Sequence, residues 1–166
     1  MELISKSKVQ LLMKDAYFGG LTLRLNTEAD PTCATYWTDG VTIGFNPDFV
    51  EKINPAERVG VLAHEIAHVT GKHHLRRGER DPILWNKACD YAINPVLLAC
   101  GFKLPPGALI DSRFAGMAAE QIYEILHAEQ NPPPPDDGDK GDDGEQGDSS
   151  DDQGDDGQPG GDSDDA

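Results

Sequence analysis

No stretch of this chain approaches the ~18 consecutive apolar residues that a membrane helix needs. The N-terminus, Met-Glu-Leu-Ile-Ser-Lys-Ser-Lys, lacks the apolar run of a signal peptide. A cytoplasmic protein with no membrane partner is expected. Basic residues are scarce as well, 14 Lys and Arg against 30 Asp and Glu, for a net charge of −16. Such a balance repels polyanions and excludes nucleic acid as a partner. Cysteine is limited to Cys33, Cys89 and Cys100, an odd number with no CxxC spacing. That pattern excludes a disulfide framework, and each thiol reads as a small hydrophobe in a reducing compartment.

The charge is unevenly spread. Residues 132–166 carry 14 acidic residues and one Lys, whereas residues 1–131 carry 16 acidic and 13 basic ones. The last segment opens with four prolines and continues in Asp, Gly, Gln and Ser, with no aromatic or branched aliphatic residue. It has nothing to bury, so it reads as a disordered acidic tail. Its short Asp-Gly units do not meet the ligand spacing of a calcium-binding EF-hand. Residues 1–131 are long enough for one ordinary hydrophobic core and read as a single domain.

Within that domain, apolar positions from Ile4 to Phe18 have a loose helical spacing that stops at Gly19-Gly20. Leu21 to Leu25 alternates and predicts a strand, and Asn26 to Pro31 a polar turn. Cys33 to Trp37 and Val41 to Phe45 predict two further strands around the hairpin signal Asp39-Gly40. Asn46-Pro47 and Asn54-Pro55 each pair an N-cap with Pro at the first helical position, so two helices follow, the second from Pro55 to about Thr70. Pro82 to Cys100 predicts a second core helix bent or broken at Pro95, Gly101 to Ile110 a loop, and Ala115 to Gln130 a closing helix. The expected fold is α+β, with a small antiparallel sheet packed on the two core helices. The basic stretch Lys72 to Asp81 reads as a solvated face or connector, with a grip on an anionic partner as the alternative.

The long helix carries His64-Glu65-Ile66-Ala67-His68, an HExxH pattern inside the apolar run Val59 to Val69. Residues four apart on a helix lie about 40° apart on one face, so both imidazoles reach one Zn²⁺. Glu65 stands beside the metal as a general base. Hydrolytic zinc sites take three protein ligands and leave one position open. His64 to His74 fits HExxHxxGxxH, the metzincin spacing, but His74 would lie about 120° from His68 on an unbroken helix and needs a turn at Gly71. His73 is a poorer fit, and Met117, a candidate Met-turn, falls where a helix should begin. Asp90 on the next helix is the preferred third ligand, an arrangement similar to gluzincins, with Asn86 one turn earlier. Asn86, Asp90 and Asn94, at i, i+4 and i+8, form a polar stripe that faces either water or the metal and the groups around it.

Phe45-Asn46-Pro47, His64 to His68, His74 to Gly78, Trp85 to Asn94 and Ala119 to Tyr123 together resemble the metallopeptidase domain found N-terminal to von Willebrand factor A-like domains in bacterial and phage proteins. The resemblance implies a zincin-like fold and a zinc peptidase. Here the acidic tail follows the domain and leaves no room for a von Willebrand A-like domain, so what that domain contributes is expected to be absent or to come from a partner chain. The expected activity is peptide-bond hydrolysis by a zinc-activated water, with His64, His68 and Asp90 as ligands and Glu65 as base. Val41 to Phe45 would be the sheet edge that receives a substrate strand, and Tyr91, His73 and His74 are candidate oxyanion donors. The alternative is a zinc-stabilised binding or regulatory module that acts through its acidic tail.

Overall fold

The computed structural model describes residues 1–132. The reading of 132–166 as a tail therefore falls almost wholly outside the described residues. The elements in chain order are α1 (Glu2–Lys14), α2 (Ala16–Thr22), β1 (Asn26–Ala29), β2 (Tyr36–Thr38), β3 (Thr42–Phe45), α3 (Pro47–Lys52), α4 (Pro55–Thr70), α5 (His73–Arg76), α6 (Pro82–Ala99) and α7 (Ala119–Gln130), with a 3₁₀ turn at Ser112–Phe114. The fold is α+β and mostly helical, with a small three-stranded sheet.

The helix boundaries after the sheet follow local capping. Asn46 accepts from the backbone N–H groups of Asp48 and Phe49 and starts α3. Asn54 and Glu57 form a reciprocal capping box that starts α4 at Pro55. Asp81 accepts from the Leu84 N–H ahead of Pro82 and starts α6. α6 continues through Pro95 uninterrupted. Ile93, Asn94 and Leu97 are buried on both sides of it, and this packing offsets the one hydrogen bond that proline removes.

The N-terminal third departs from the sequence expectation. Leu21 and Thr22 belong to α2, not to a strand. Phe18, Leu21 and Leu25 pack together on the core while Leu23 is exposed, so the helical spacing prevails over the two-residue alternation. Gly19-Gly20 lies within α2 and does not end a helix. A side chain at Gly19 would meet the Leu12 Cα at 2.2 Å, so the glycine lets α2 lie directly on α1. The break between the two helices is Asp15, an extended residue whose carboxylate caps α2. β1 occupies Asn26–Ala29, where a polar turn was expected. It is an edge strand with mostly exposed side chains, so it carries no hydrophobic signal.

The sheet is mixed rather than antiparallel, in the order β1-β3-β2. β1 runs parallel to β3, and β2 pairs with it antiparallel through the hairpin at Gly40, whose φ is 92°. Val41–Phe45 is thus represented by the central strand, not by an edge. The closing helix begins at Ala119, so Met117 precedes it and packs on the cluster formed by α6 and α7.

α4 is the spine. Leu62, Ala63 and Ile66 are fully buried against Leu11 of α1, Ile43 of β3, and Ile93 and Leu97 of α6. Its Gly60 abuts the loop after α6, where a Cβ would lie 1.8 Å from the Lys103 carbonyl oxygen. Gly60→Ala is therefore expected to destabilise the protein by about 1–3 kcal/mol despite alanine's better helix propensity, because backbone must move. Thermal denaturation measures this, and an unchanged or raised Tm would refute the close approach.

Candidate metal centre

α4 presents His64 and His68 one turn apart toward α6, which presents Asp90 and Asn94 one turn apart toward α4. Three donor atoms converge. His64 Nε2 and His68 Nε2 are 2.9 Å apart, and Asp90 Oδ1 lies 3.1 Å from the His68 nitrogen and 3.3 Å from the His64 nitrogen. Donors on 2.0–2.1 Å bonds in a tetrahedral zinc shell stand about 3.3 Å apart. The triangle is that size to within a few tenths of an ångström.

The surrounding hydrogen bonds fix the proton on one ring and supply an acceptor for the next. Asn94 is buried, and its amide nitrogen donates to the Leu109 carbonyl at 2.9 Å. The Asn94 oxygen therefore faces His64 Nδ1 at 2.9 Å and accepts its proton. A neutral His64 with its proton on Nδ1 turns an unprotonated Nε2 into the triangle. On the other side His68 Nδ1 lies 3.1 Å from His73 Nδ1. A proton on His68 Nδ1 makes His73 the acceptor and frees the second Nε2 lone pair as well. Two nitrogen lone pairs and a carboxylate oxygen then meet in one place, the donor set of a three-ligand zinc site.

In the metal-free group, burial of His64 is outweighed by Asp90 and Glu65, which raise its pKa, so a cation entering the triangle displaces a proton from that ring. Burial pushes the Asp90 carboxyl up, but the two imidazoles beside it outweigh burial and bring it down to about 2. Burial, followed by the neighbouring His68 and Arg76, lowers His73 to about 4 and keeps it neutral. Burial raises Glu65 above the ordinary carboxylate value, opposed by His64 and His68. Glu65 enters none of the hydrogen bonds that tie the histidines, Asp90 and Asn94 together. It borders a cavity of about 240 Å³ that is also lined by Phe49 and by the loop from Leu104 to Leu109.

His74 stands outside this group. It is exposed and lies against the hairpin turn, where a Cβ on Gly40 would meet its ring at 2.6 Å. The chain does turn sharply after α4, but at Lys72, whose φ of 52° is left-handed, and not at Gly71. That turn returns His73, rather than His74, to His68. Trp85 then pins His73 by donating its indole N–H to the His73 carbonyl at 2.9 Å. Asn86 is exposed, and Tyr91 packs against Phe114 in the α6–α7 cluster, away from the triangle. Of the three oxyanion candidates, His73 alone touches a member of the group. Cys89, fully buried with its thiol pushed up to about 12 by burial and then by Asp90, faces the His68–His73 side.

Asn94→Ala is expected to weaken metal binding by about 10–100-fold, because His64 loses the acceptor that holds its ring and tautomer. Competitive chelator titration measures the change, and an unaltered affinity would show that the Asn94 bond does not set the His64 donor.

A family model described as "Putative metallopeptidase domain" matches residues 3–166 of the chain. No curated protein and no solved structure matches it. No helix among the described residues is long and apolar enough to cross a membrane.

Proposed function

From the premise that the chain belongs to this metallopeptidase-domain family, we propose that it is a zinc-dependent peptidase with a zincin-like catalytic domain in residues 1–131. His64, His68 and Asp90 are the metal ligands in this reading, and Glu65 is the general base. One observation carries it. Two histidine lone pairs and the Asp90 carboxylate converge within 3.3 Å, while the neighbouring Glu65 is left out of their hydrogen bonds and opens on a cavity.

A Zn²⁺ held by His64, His68 and Asp90 would supply Lewis-acid chemistry, polarising a carbonyl and bringing the pKa of a water towards ~7. Asp90 contributes the negative charge that offsets part of the cation's, and Asn94 and His73 hold the two imidazoles in their donor tautomers. Glu65 takes the proton of the attacking water as the new C–O bond forms. It then hands that proton to the departing amine nitrogen as the peptide C–N bond breaks. Its burial favours this shuttle, because a carboxylate whose pKa is raised holds the proton it has taken more readily before passing it on.

The substrate is a peptide or protein. With β3 in the centre of the sheet, the edge available for main-chain pairing on the α4 side is β2. Thr35, just before it, borders the Glu65 cavity, whose other walls include Phe49, Val61, Leu104 and Leu109. Apolar walls of this kind receive an apolar side chain next to the scissile bond.

Metal analysis of protein purified without a histidine tag, paired with a protein-digestion assay, tests the proposal. One zinc per chain at the triangle and hydrolysis lost to chelator and restored by Zn²⁺ are expected. Metal-free protein that takes up no zinc, or zinc-loaded protein that cuts no peptide library, would overturn it.

A further inference from the structure

We propose that His68, His73 and Cys89 form a second metal site, which takes a thiophilic divalent ion such as Zn²⁺ or Co²⁺ and shares the His68 ring with the first cluster. The three donor atoms lie within 4.8 Å of one another, and all three residues are buried. His68 Nδ1 and His73 Nδ1 face each other at 3.1 Å, close to the separation of about 3.3 Å of two nitrogens on one tetrahedral zinc. A hydrogen bond between two imidazole nitrogens holds one proton between two lone pairs. A cation can take that proton's place when a third donor is at hand.

Cys89 is that donor, and sulfur gives the site its selectivity. A thiolate with two imidazoles suits zinc and cobalt and is a poor match for magnesium or calcium. The three donors come from three rigid supports. α4 fixes His68, the left-handed turn at Lys72 returns His73, and α6 places Cys89 one turn after the Trp85 that pins the His73 backbone. The site is reachable from solvent, since His68, His73, Cys89 and Asn86 line a cavity of about 420 Å³, a different one from that of Glu65. Binding releases the thiol proton and the ring proton, so it strengthens as pH rises. The inference does not require the first site to be filled, because it uses the Nδ1 side of His68 rather than the Nε2 side. When both sites are filled, the His68 ring bridges the two ions.

The test is a titration of the reduced, metal-free full chain with Co²⁺ under anaerobic conditions, followed in the near ultraviolet, where a thiolate bound to cobalt gives a charge-transfer band. A cobalt equivalent that brings in the band is expected. The band should vanish in Cys89→Ser and persist in the Cys33→Ser/Cys100→Ser double variant, whose only thiol is Cys89. In Asp90→Asn the band should also persist. Loss of the other, bandless equivalent there would report on the first site alone, so the two readings fail separately. Absence of the band in the unaltered chain, its survival in Cys89→Ser, or its loss in the double variant would overturn the proposal. The double variant retains the buried Cys89, so it decides the matter even if Cys89→Ser does not fold.

Discussion

Replacing Glu65 with glutamine is expected to lower peptide hydrolysis by about 10³-fold while leaving the metal bound, within the range of loss of a positioned general base. Glutamine keeps the shape of the side chain and removes its ability to take a proton from water. Glu65 is 6% exposed and takes no part in the hydrogen bonds around the histidines, so no hydrogen bond of the donor triangle depends on it. Stability separates catalysis from scaffolding. Burial raises the folded pKa of Glu65 above its unfolded value, so the ionised group opposes folding at any pH above that unfolded value. Glu65→Gln removes this cost, and the Tm of the metal-free protein at neutral pH should stay level or rise. Zinc content, steady-state cleavage and thermal denaturation of the same preparation check the three parts. A Glu65→Gln protein that cleaves at the original rate would rule out the shuttle.

That part of the site was legible in the sequence because its signals are local. Asn46-Pro47 and Asn54-Pro55 carry their own hydrogen-bonding instruction, so α3 and α4 begin where the caps sit. Once α4 is placed, a fixed helical rise puts His64 above His68. The stripe Asn86, Asp90 and Asn94 was legible for the same reason. Two of its members do face the histidines, while Asn86, one turn earlier, is exposed and lines the cavity beside His68 and His73.

What stayed hidden depends on contacts between distant residues or on unfavoured backbone. β1 is polar because an edge strand needs only its main chain to pair, and its parallel partner arrives sixteen residues later. The close approach of α2 to α1 turned Gly19 from an apparent stop into a packing requirement. His73 was ranked below His74 because it misses the metzincin spacing, and the turn expected at Gly71 falls on Lys72, whose φ is 52°. A lysine at positive φ gives no sequence signal. Cys89, unpaired by spacing with any other cysteine, meets His68 and His73 only when α6 docks on α4.

The choice between Asp90 and His74 as the third ligand separates most sharply by substitution. Asp90→Asn should weaken metal binding by more than the about 10–100-fold expected at Asn94, because it removes a donor charge from the shell rather than a support behind it. His74→Ala should leave affinity unchanged, since that ring is exposed against the hairpin. Asp90 has a second signature in the metal-free protein. Its folded pKa of about 2 lies below the unfolded value, so its pairing with the imidazoles stabilises the fold above pH ~4 and is lost as pH falls towards 2. The difference corresponds to stabilisation on the order of 2 kcal/mol. Asp90→Asn should therefore be less stable than the unaltered chain at neutral pH and show a flatter loss of stability between pH 4 and 2, as measured by denaturant unfolding across that range. If His74→Ala releases the metal and Asp90→Asn holds it, the donor triangle is not the centre. The turn at Lys72 would then have to reorganise on binding to bring His74 in.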